Sequence, residues 1–190
     1  MLDAVTDVLS TERLRLRELD LADTDGLLEI FSDPEAMRPY PSTKDREATE
    51  AWIRWCLKSY HENGFGLWAI ERAADGTFLG DCGLMLQPID GRLVPEIGYH
   101  LVPRAWGRGY ATESARACRD WLFRETTYRE AVSIVDPGNR RSRAVAERVH
   151  ARMRMIAWGA ERRSMCLYSV ARTDLEMSAA AATESSPDGP

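Results

Sequence analysis

Two glycines ahead of a helical pattern could build a binding site for an anion. They lie in the segment EIGYHLVPRAWGRGYATE, residues 96–113, where Pro103 ends a strand-like run and Gly107 and Gly109 allow backbone conformations that other residues avoid. A helix beginning near Gly109 would direct its unpaired amide groups and the positive end of its dipole at the same point. The spacing favours a diphosphate as the ligand, and a plain turn is the alternative.

Other phosphate-binding motifs do not fit this chain. The pattern GxxxxGK[ST] of the Walker loop does not occur in the sequence. A Rossmann-type loop would lie near the start of a run of parallel βαβ units, whereas this loop follows three strand-like segments joined by the hairpin signals Asp75-Gly76 and Asp90-Gly91. The position of the loop in the chain therefore excludes both classes.

Hydrophobic periodicity places the loop in an α+β domain. Alternating or continuous apolar runs predict strands over residues 13–18, 65–72, 77–87, 93–102, 130–136, 154–160 and 164–172. Apolar spacings of three and four predict helices over residues 24–31, 43–62, 109–124 and 140–153. This order predicts a single domain over residues 10–174, preceded by an N-terminal extension, residues 1–9. The last segment, residues 175–190, is small, polar and rich in proline and glycine, which predicts a disordered tail.

Composition limits the class of protein. Of the 190 residues, 44% are hydrophobic and 29% are charged, as is typical of a soluble globular domain. No apolar run approaches the roughly 20 residues of a membrane span, and the N-terminus lacks the pattern of a signal peptide. These features predict a cytoplasmic protein without membrane contact. The four cysteines have no CxxC spacing, so we predict no metal site, and a net charge of −5 argues against nucleic-acid binding.

The charge is unevenly distributed along the chain. Residues 1–50 carry 13 acidic and 6 basic side chains, whereas residues 139–163 carry 8 basic and 2 acidic ones. Such asymmetry fits a protein that binds an anion on one side and a cation on the other. An ordinary solvated surface is the alternative.

Three segments resemble a known family. They are TERLRLREL at residues 11–19, EIGYHLVPRAWGRGYATESA at residues 96–115 and GNRRSRAVAERVHARM at residues 138–153. Together they resemble the GNAT superfamily of N-acetyltransferases, and within it the ribosomal-protein alanine N-acetyltransferase-like (RimJ/RimL-type) branch. The resemblance covers roughly residues 10–172. It implies a mixed, mostly antiparallel sheet of about seven strands with about four helices, splayed at the site where acetyl-coenzyme A binds.

The resemblance also implies the residues that contact acetyl-CoA. The backbone of Leu101 and Val102 would pair with the pantetheine arm, and Asn139 would hydrogen-bond to the same arm. The pyrophosphate would be bound by the amides of Gly107, Arg108, Gly109, Tyr110 and Ala111, with Thr112 at the margin.

Acetylation of an amine requires a base, and protonation of the departing thiolate calls for an acid. Glu96 is the candidate base, because its place beside Pro95 and Ile97 predicts partial burial and a raised pKa. A surface or salt-bridged glutamate is the alternative. Ser142 matches the serine of the family's N-x-x-S element and would contact the thioester sulfur, and a helix cap is the alternative for it.

The acceptor would be a primary amine, either a protein N-terminus or a small molecule. The family architecture makes Phe31, Met37 and Tyr40 candidate walls of the acceptor site, and the acidic first quarter of the chain would favour a cationic amine. A catalytically idle protein that binds acyl-CoA as a sensor or structural partner is the alternative function. A homodimer is compatible with either.

Overall fold

The computed structural model describes residues 7–177, and these form one mixed sheet with helices packed against it. The eight strands within that range are β1 (Asp7–Ser10), β2 (Leu14–Arg17), β3 (Leu67–Arg72), β4 (Phe78–Ile89), β5 (Arg92–Leu101), β6 (Glu130–Val135), β7 (Arg152–Trp158) and β8 (Arg163–Ala171). The α-helices are α1 (Thr24–Phe31), α2 (Arg46–Asn63), α3 (Tyr110–Glu125) and α4 (Arg140–Val149). Residues 172–177 add a short helical segment.

The sheet has the strand order β1-β2-β3-β4-β5-β6-β8-β7. All neighbouring pairs are antiparallel except β5 and β6, which run parallel. This arrangement confirms the predicted α+β fold with a mixed, mostly antiparallel sheet, and it has one strand more than predicted. In the part of the chain that the structure describes, no helix has the length and apolarity needed to cross a membrane.

Local sequence signals explain where the central elements begin and end. Asp45 caps α2 by accepting the amide hydrogen of Ala48 at 2.8 Å, and Gly64 ends it in the left-handed conformation. The β4–β5 hairpin turns at Asp90 and Gly91, whose φ angles of 49° and 77° are those of a type I′ turn. The Asp-Gly signal in the sequence therefore marks the turn correctly.

Helices cover both faces of β4, because successive side chains of a strand point to opposite sides. Asp81 accepts a hydrogen bond from Trp52 of α2, whereas the next residue, Cys82, contacts Cys118 of α3 at 3.6 Å between the sulfur atoms. The apolar core lies on these two faces. Residues of even and odd number on β4 therefore face different helices.

Three boundaries differ from the sequence-based prediction. Helix α4 ends at Val149 and not at residue 153, because His150 is extended and Arg152 already pairs with Ser169 in the sheet. Strand β1 lies in the segment predicted to be an N-terminal extension, and its short, partly exposed sequence gave no periodic signal. Residues 175–177 of the predicted tail are helical, and residues 178–190 lie outside the described part of the chain.

The parallel strands β5 and β6 separate soon after they meet. They form a single register pair, Glu96 with Val132, and the hydroxyl of Ser133 then donates to the carbonyl of Ile97 at 2.8 Å. Beyond this point β6 pairs only with β8, and β5 pairs only with β4. The carboxyl-terminal half of β5 therefore presents a free backbone edge, as the splay predicted from the family requires.

Candidate active site

A cavity of ≈ 1380 Å³ opens between the free edge of β5, the first turns of α3 and α4, and the connection from α1 to α2. Nine of the residues predicted to form the site line it: Tyr40, Leu101, Gly107, Gly109, Tyr110, Ala111, Thr112, Asn139 and Ser142. Five others lie elsewhere: Phe31, Met37, Glu96, Val102 and Arg108. The cavity is large enough to hold a nucleotide-sized ligand.

The loop before α3 exposes a row of free amide groups to this cavity. Gly107 and Gly109 have φ angles of 74° and 83°, a left-handed conformation that glycine adopts without strain. The amides from Gly107 to Thr112 donate to no backbone or side-chain acceptor within residues 7–177. Since Gly109 caps α3 without a side chain, the positive end of the helix is left open to an anion. The loop therefore presents a row of free donors at a helix start, and the binding of an anion there stays a prediction.

Arg108 also contacts groups outside this loop. Its carbonyl accepts a hydrogen bond from Arg13 at 3.1 Å, and the residue lines a separate small cavity of ≈ 150 Å³ together with Arg72 and Thr77. Arg13 also stacks over the Tyr110 ring at 4.9 Å and forms an ion pair with Glu113. Arg13 of the β1–β2 connection therefore holds this loop in place.

Leu101 and Val102 differ in what their backbones can still bind. The amide of Val102 donates to Leu79 at 3.0 Å and its carbonyl accepts from Ala105 at 2.9 Å, so both groups are engaged. Alternate residues of a strand direct their backbone groups to opposite edges, and those of Leu101 therefore point to the free edge. Trp106 confirms this direction, because its indole nitrogen donates to the Leu101 carbonyl at 2.8 Å. Both backbone groups of Val102 are therefore engaged, contrary to the prediction, and at Leu101 the amide is the group that remains free at this edge.

The first turn of α4 places two predicted residues on the opposite wall. Asn139 caps the helix, with its side-chain oxygen accepting the amide hydrogen of Ser142 at 3.1 Å. The alternative of Ser142 as the cap is therefore wrong. The carbonyl of Ser142 accepts a hydrogen bond from the hydroxyl of Tyr99 on β5 at 2.9 Å, which connects α4 to the free strand edge. The amide nitrogen of Asn139 and the hydroxyl of Ser142 both remain available on the cavity side.

Glu96 lies in the sheet and not on the cavity wall. One carboxylate oxygen accepts the amide hydrogen of Ile134 at 3.1 Å, and the other accepts from Gln87 at 2.7 Å. Burial raises the pKa of Glu96, and these two hydrogen bonds and the nearby His100 oppose the rise. Glu96 is therefore buried and its pKa is raised, as its neighbours in the sequence predicted. The carboxylate, however, closes the point where β5 and β6 separate, and Glu96 is not among the residues that line the cavity.

The predicted acceptor walls are also revised. Phe31 is 1% exposed and Met37 is 3% exposed, so both belong to the core and not to the cavity surface. Sequence periodicity marks such apolar residues but does not distinguish a core position from a wall. Tyr40 does line the cavity, and its hydroxyl lies 2.8 Å from Nε2 of His100.

Two functional candidates were not predicted from the sequence. His100 lines the cavity, and its Nδ1 is 2.7 Å from a carboxylate oxygen of the fully buried Asp81. The residues are distant in sequence and belong to no catalytic motif. The sequence does contain a signal for their contact, which is the two-residue turn at Asp90-Gly91. Pairing the residues on either side of this turn one by one places Asp81 opposite His100, and the structure has the same register.

Arginines outnumber the acidic residues around the cavity, which are Glu12, Glu35, Glu113 and Asp120. Six arginines line it: Arg13, Arg38, Arg116, Arg140, Arg141 and Arg148. Of the acidic residues in the first quarter of the described chain, Glu12 and Glu35 line it, and Glu35 forms an ion pair with Arg141. The charge distribution therefore suits an anionic ligand and gives no support to an acidic surface that attracts a cationic acceptor.

A family model for the acetyltransferase (GNAT) domain matches residues 13–152 of this chain. This match includes the free strand edge, the amide loop and helix α4. The chain belongs to the GNAT acetyltransferase family. Among its relatives is an uncharacterized protein, YkkB, from Bacillus subtilis (strain 168). It is 42% identical over 144 residues, which cover 74% of this chain and 83% of YkkB.

Solved GNAT structures share the fold. An acetyltransferase from Agrobacterium tumefaciens superimposes with a TM-score of 0.74 and 29% identity, covering 90% of this chain and 98% of that one. The ribosomal L7/L12 α-N-protein acetyltransferase RimL, solved in complex with coenzyme A, has a TM-score of 0.71 at 18% identity, covering 87% and 98% of the two chains. The likeness to RimL concerns the fold alone.

Proposed function

We propose that this protein transfers the acetyl group of acetyl-CoA to a primary amine by direct attack of the amine on the thioester. The row of free amides from Gly107 to Thr112, at the end of a cavity rich in arginine, is the observation that carries this proposal. Such a row is suited to a pyrophosphate, because it supplies several donors and a helix dipole without the flexibility of long side chains. Membership in the GNAT family supports acetyl-CoA as the donor.

The remaining walls suit the rest of the donor. In the proposed complex the pantetheine arm extends along the free backbone edge of Leu101 and accepts a hydrogen bond from the side-chain amide of Asn139. The hydroxyl of Ser142 has no hydrogen-bond partner in the described chain and lies on the same wall, so we assign it to the thioester sulfur. In this arrangement the thioester is directed toward Tyr40 and His100.

The acceptor class that we propose is a protein N-terminus or a small-molecule amine. The resemblance of residues 96–115 and 138–153 to the ribosomal-protein acetyltransferase branch supports a protein N-terminus. The fold shared with RimL, which is named as an α-N-protein acetyltransferase, is consistent with that choice.

Calorimetric titration with acetyl-CoA and a thiol-release assay against a panel of amines and N-terminal peptides test the proposal. We expect a dissociation constant in the micromolar range, and thiol release that depends on the amine. Binding of acetyl-CoA with no acetylated product from any acceptor would instead identify an idle acyl-CoA-binding protein. No binding of acetyl-CoA would refute the donor site itself.

Asn139 offers a test of the pantetheine contact. Serine caps a helix about as well as asparagine does, but it lacks the side-chain amide donor. We therefore expect Asn139→Ser to retain the thermal stability of the protein and to weaken acetyl-CoA binding about tenfold, the value of roughly one hydrogen bond. Asn139→Ala is the comparison, since it should lose both the cap and the donor. Unchanged affinity in Asn139→Ser would remove this residue from the donor site.

The structure supports a positional role for Glu96 in place of the catalytic one. Glu96→Gln retains an acceptor for the amide of Ile134, and Gln87 can turn its side chain to bond the new amide. We expect kcat to fall less than about tenfold and acetyl-CoA affinity to stay unchanged, because the junction of β5 and β6 is preserved. Steady-state kinetics measure this. A fall of kcat beyond about a hundredfold at unchanged affinity would restore Glu96 as the proton acceptor.

A further inference from the structure

His100 on β5 lies at the centre of a chain of three side chains that reaches the cavity. Its Nδ1 is 2.7 Å from Oδ1 of Asp81 on β4, and its Nε2 is 2.8 Å from the hydroxyl oxygen of Tyr40. The Asp81 side chain is fully buried and that of His100 is 9% exposed. Tyr40 is on the surface of the cavity. The chain therefore connects the cavity to a buried carboxylate.

Hydrogen bonding determines the tautomer of His100. The second oxygen of Asp81 accepts a hydrogen bond from the indole of Trp52 at 3.1 Å. An ionised carboxylate can only accept, so Nδ1 of His100 carries the hydrogen toward Asp81 and Nε2 of the neutral ring is an acceptor. The Tyr40 hydroxyl then donates to Nε2, which leaves its own oxygen lone pairs for a donor in the cavity.

We propose that Tyr40, His100 and Asp81 form the relay that takes the proton from the acceptor amine, an inference that rests on the proposed N-acetyltransferase function. An ammonium group has no lone pair, so it must lose a proton before it attacks. That proton passes to the hydroxyl oxygen of Tyr40 while the hydroxyl proton passes to Nε2 of His100. The imidazolium formed remains hydrogen-bonded to Asp81, which stabilises its charge.

The remaining steps balance the reaction. The lone pair of the amine forms the C–N bond with the acetyl carbonyl carbon. The C–S bond breaks, and its electron pair leaves on the thiolate of coenzyme A. The nitrogen then loses a second proton, which neutralises the thiolate. The proton on His100 returns to solvent through Tyr40 after the products leave, so the relay ends in its starting state.

The surroundings of His100 suit a residue that becomes positively charged. The rings of Phe31 and Trp52 stand edge-on to the imidazole at 5.3 and 5.9 Å between centroids, and they shield it from bulk water. The electrostatic effect of a nearby carboxylate is stronger when water is excluded. Asp81 therefore acts on the imidazolium with little screening.

The charged groups that face His100 come from three parts of the chain. Asp81 approaches from β4, and Glu96 lies on β5, the strand of His100 itself. The ammonium of Lys44, in the connection before α2, lies over the rings of Phe31 and Trp52. Two carboxylates and one ammonium therefore surround the ring. Burial, followed by the charges of Asp81 and Glu96, raises the pKa of the Tyr40 hydroxyl. Tyr40 thus passes a proton on without remaining ionised.

Steady-state kinetics over a range of pH test the relay, with the best amine from the acceptor panel. We expect His100→Gln and Tyr40→Phe each to lower kcat about a hundredfold while acetyl-CoA affinity, measured by calorimetry, changes less than twofold. In the wild type, the relay removes a proton from the ammonium, so kcat/KM should not be limited by the fraction of amine that is already unprotonated. In His100→Gln, kcat/KM should be proportional to that fraction. His61→Gln, at an exposed position on α2, is the matched control and should behave as wild type.

The possible outcomes separate the relay from the proposed function. A wild type that acetylates no amine overturns both. An active wild type whose kcat and pH profile survive in His100→Gln overturns the relay alone. Full activity in Tyr40→Phe also overturns it, because the proton then has another path. Nitrogen-15 shifts of the His100 ring provide a readout without turnover, and a hydrogen on Nε2 in the neutral ring would contradict the assigned tautomer.

Discussion

Gly109→Val is expected to abolish detectable binding of acetyl-CoA, with a loss of affinity of at least about a hundredfold, or about 3 kcal/mol. Gly109 has a φ angle of 83°, which a β-branched residue adopts only with strain. A β-carbon there would also lie 3.4 Å from Nη2 of Arg13, whose guanidinium holds the loop through the carbonyl of Arg108, so the larger valine side chain would disturb the row of free amides. Calorimetric titration measures the effect.

A matched variant separates a general conformational cost from damage to this loop. Gly159 has a φ angle of 72°, has open space around it and lies in the β7–β8 turn, outside the cavity. Gly159→Val should therefore carry a similar conformational cost and leave acetyl-CoA affinity unchanged. If Gly109→Val binds acetyl-CoA as tightly as Gly159→Val does, the pyrophosphate does not bind at this loop.

Gly80→Ala is expected to lower the free energy of unfolding by about 3 kcal/mol, the upper range for overpacking a well-packed core. A β-carbon at Gly80 would lie 2.0 Å from the carbonyl oxygen of His100 and 2.9 Å from the Cα of Leu101. These are backbone atoms of the neighbouring strand, so they cannot rotate away as the end of a side chain can. The substitution must therefore push β5 away from β4. Urea unfolding followed by circular dichroism measures the effect.

The comparison for this prediction is Gly76→Ala. Gly76 has a φ angle of 70° and no atom within 4 Å of its would-be β-carbon, so the variant should lose only the roughly 1 kcal/mol of a left-handed alanine. Gly80→Ala should also displace His100 and reduce turnover, whereas Gly76→Ala should not. Equal losses of stability in the two variants would show that β4 and β5 separate at no cost.

Features that depend on neighbouring residues were predictable from the sequence. The left-handed turn at Gly107 and Gly109 requires glycine, and the hairpin at Asp90-Gly91 requires residues that tolerate positive φ at both positions. The start of α3 follows from the same loop, so the residue pattern is sufficient to locate the row of free amides. The apolar periodicities located the four α-helices and seven of the strands, with errors of a few residues at their ends.

Features that depend on distant residues were not predictable in this way. Glu96 has the burial that its neighbours in sequence suggest, but only the approach of Ile134 shows that its carboxylate closes the strand junction. Phe31 and Met37 have the apolar character of a wall, and the packing of the α1–α2 connection makes them core. Periodicity reports which side of an element is apolar, and it does not report what covers that side.

For the segment from Glu96 to Glu113, the sequence by itself determined the loop that carries the free amides, because Gly107 and Gly109 set the backbone conformation of that loop. The tertiary structure alone decided which groups can move the proton. Tyr40 and His100 are 60 positions apart, and their contact exists because the connection between α1 and α2 folds over the sheet at the end of β5. Hydrogen bonds of this kind depend on side-chain positions in space, which a single sequence does not encode locally.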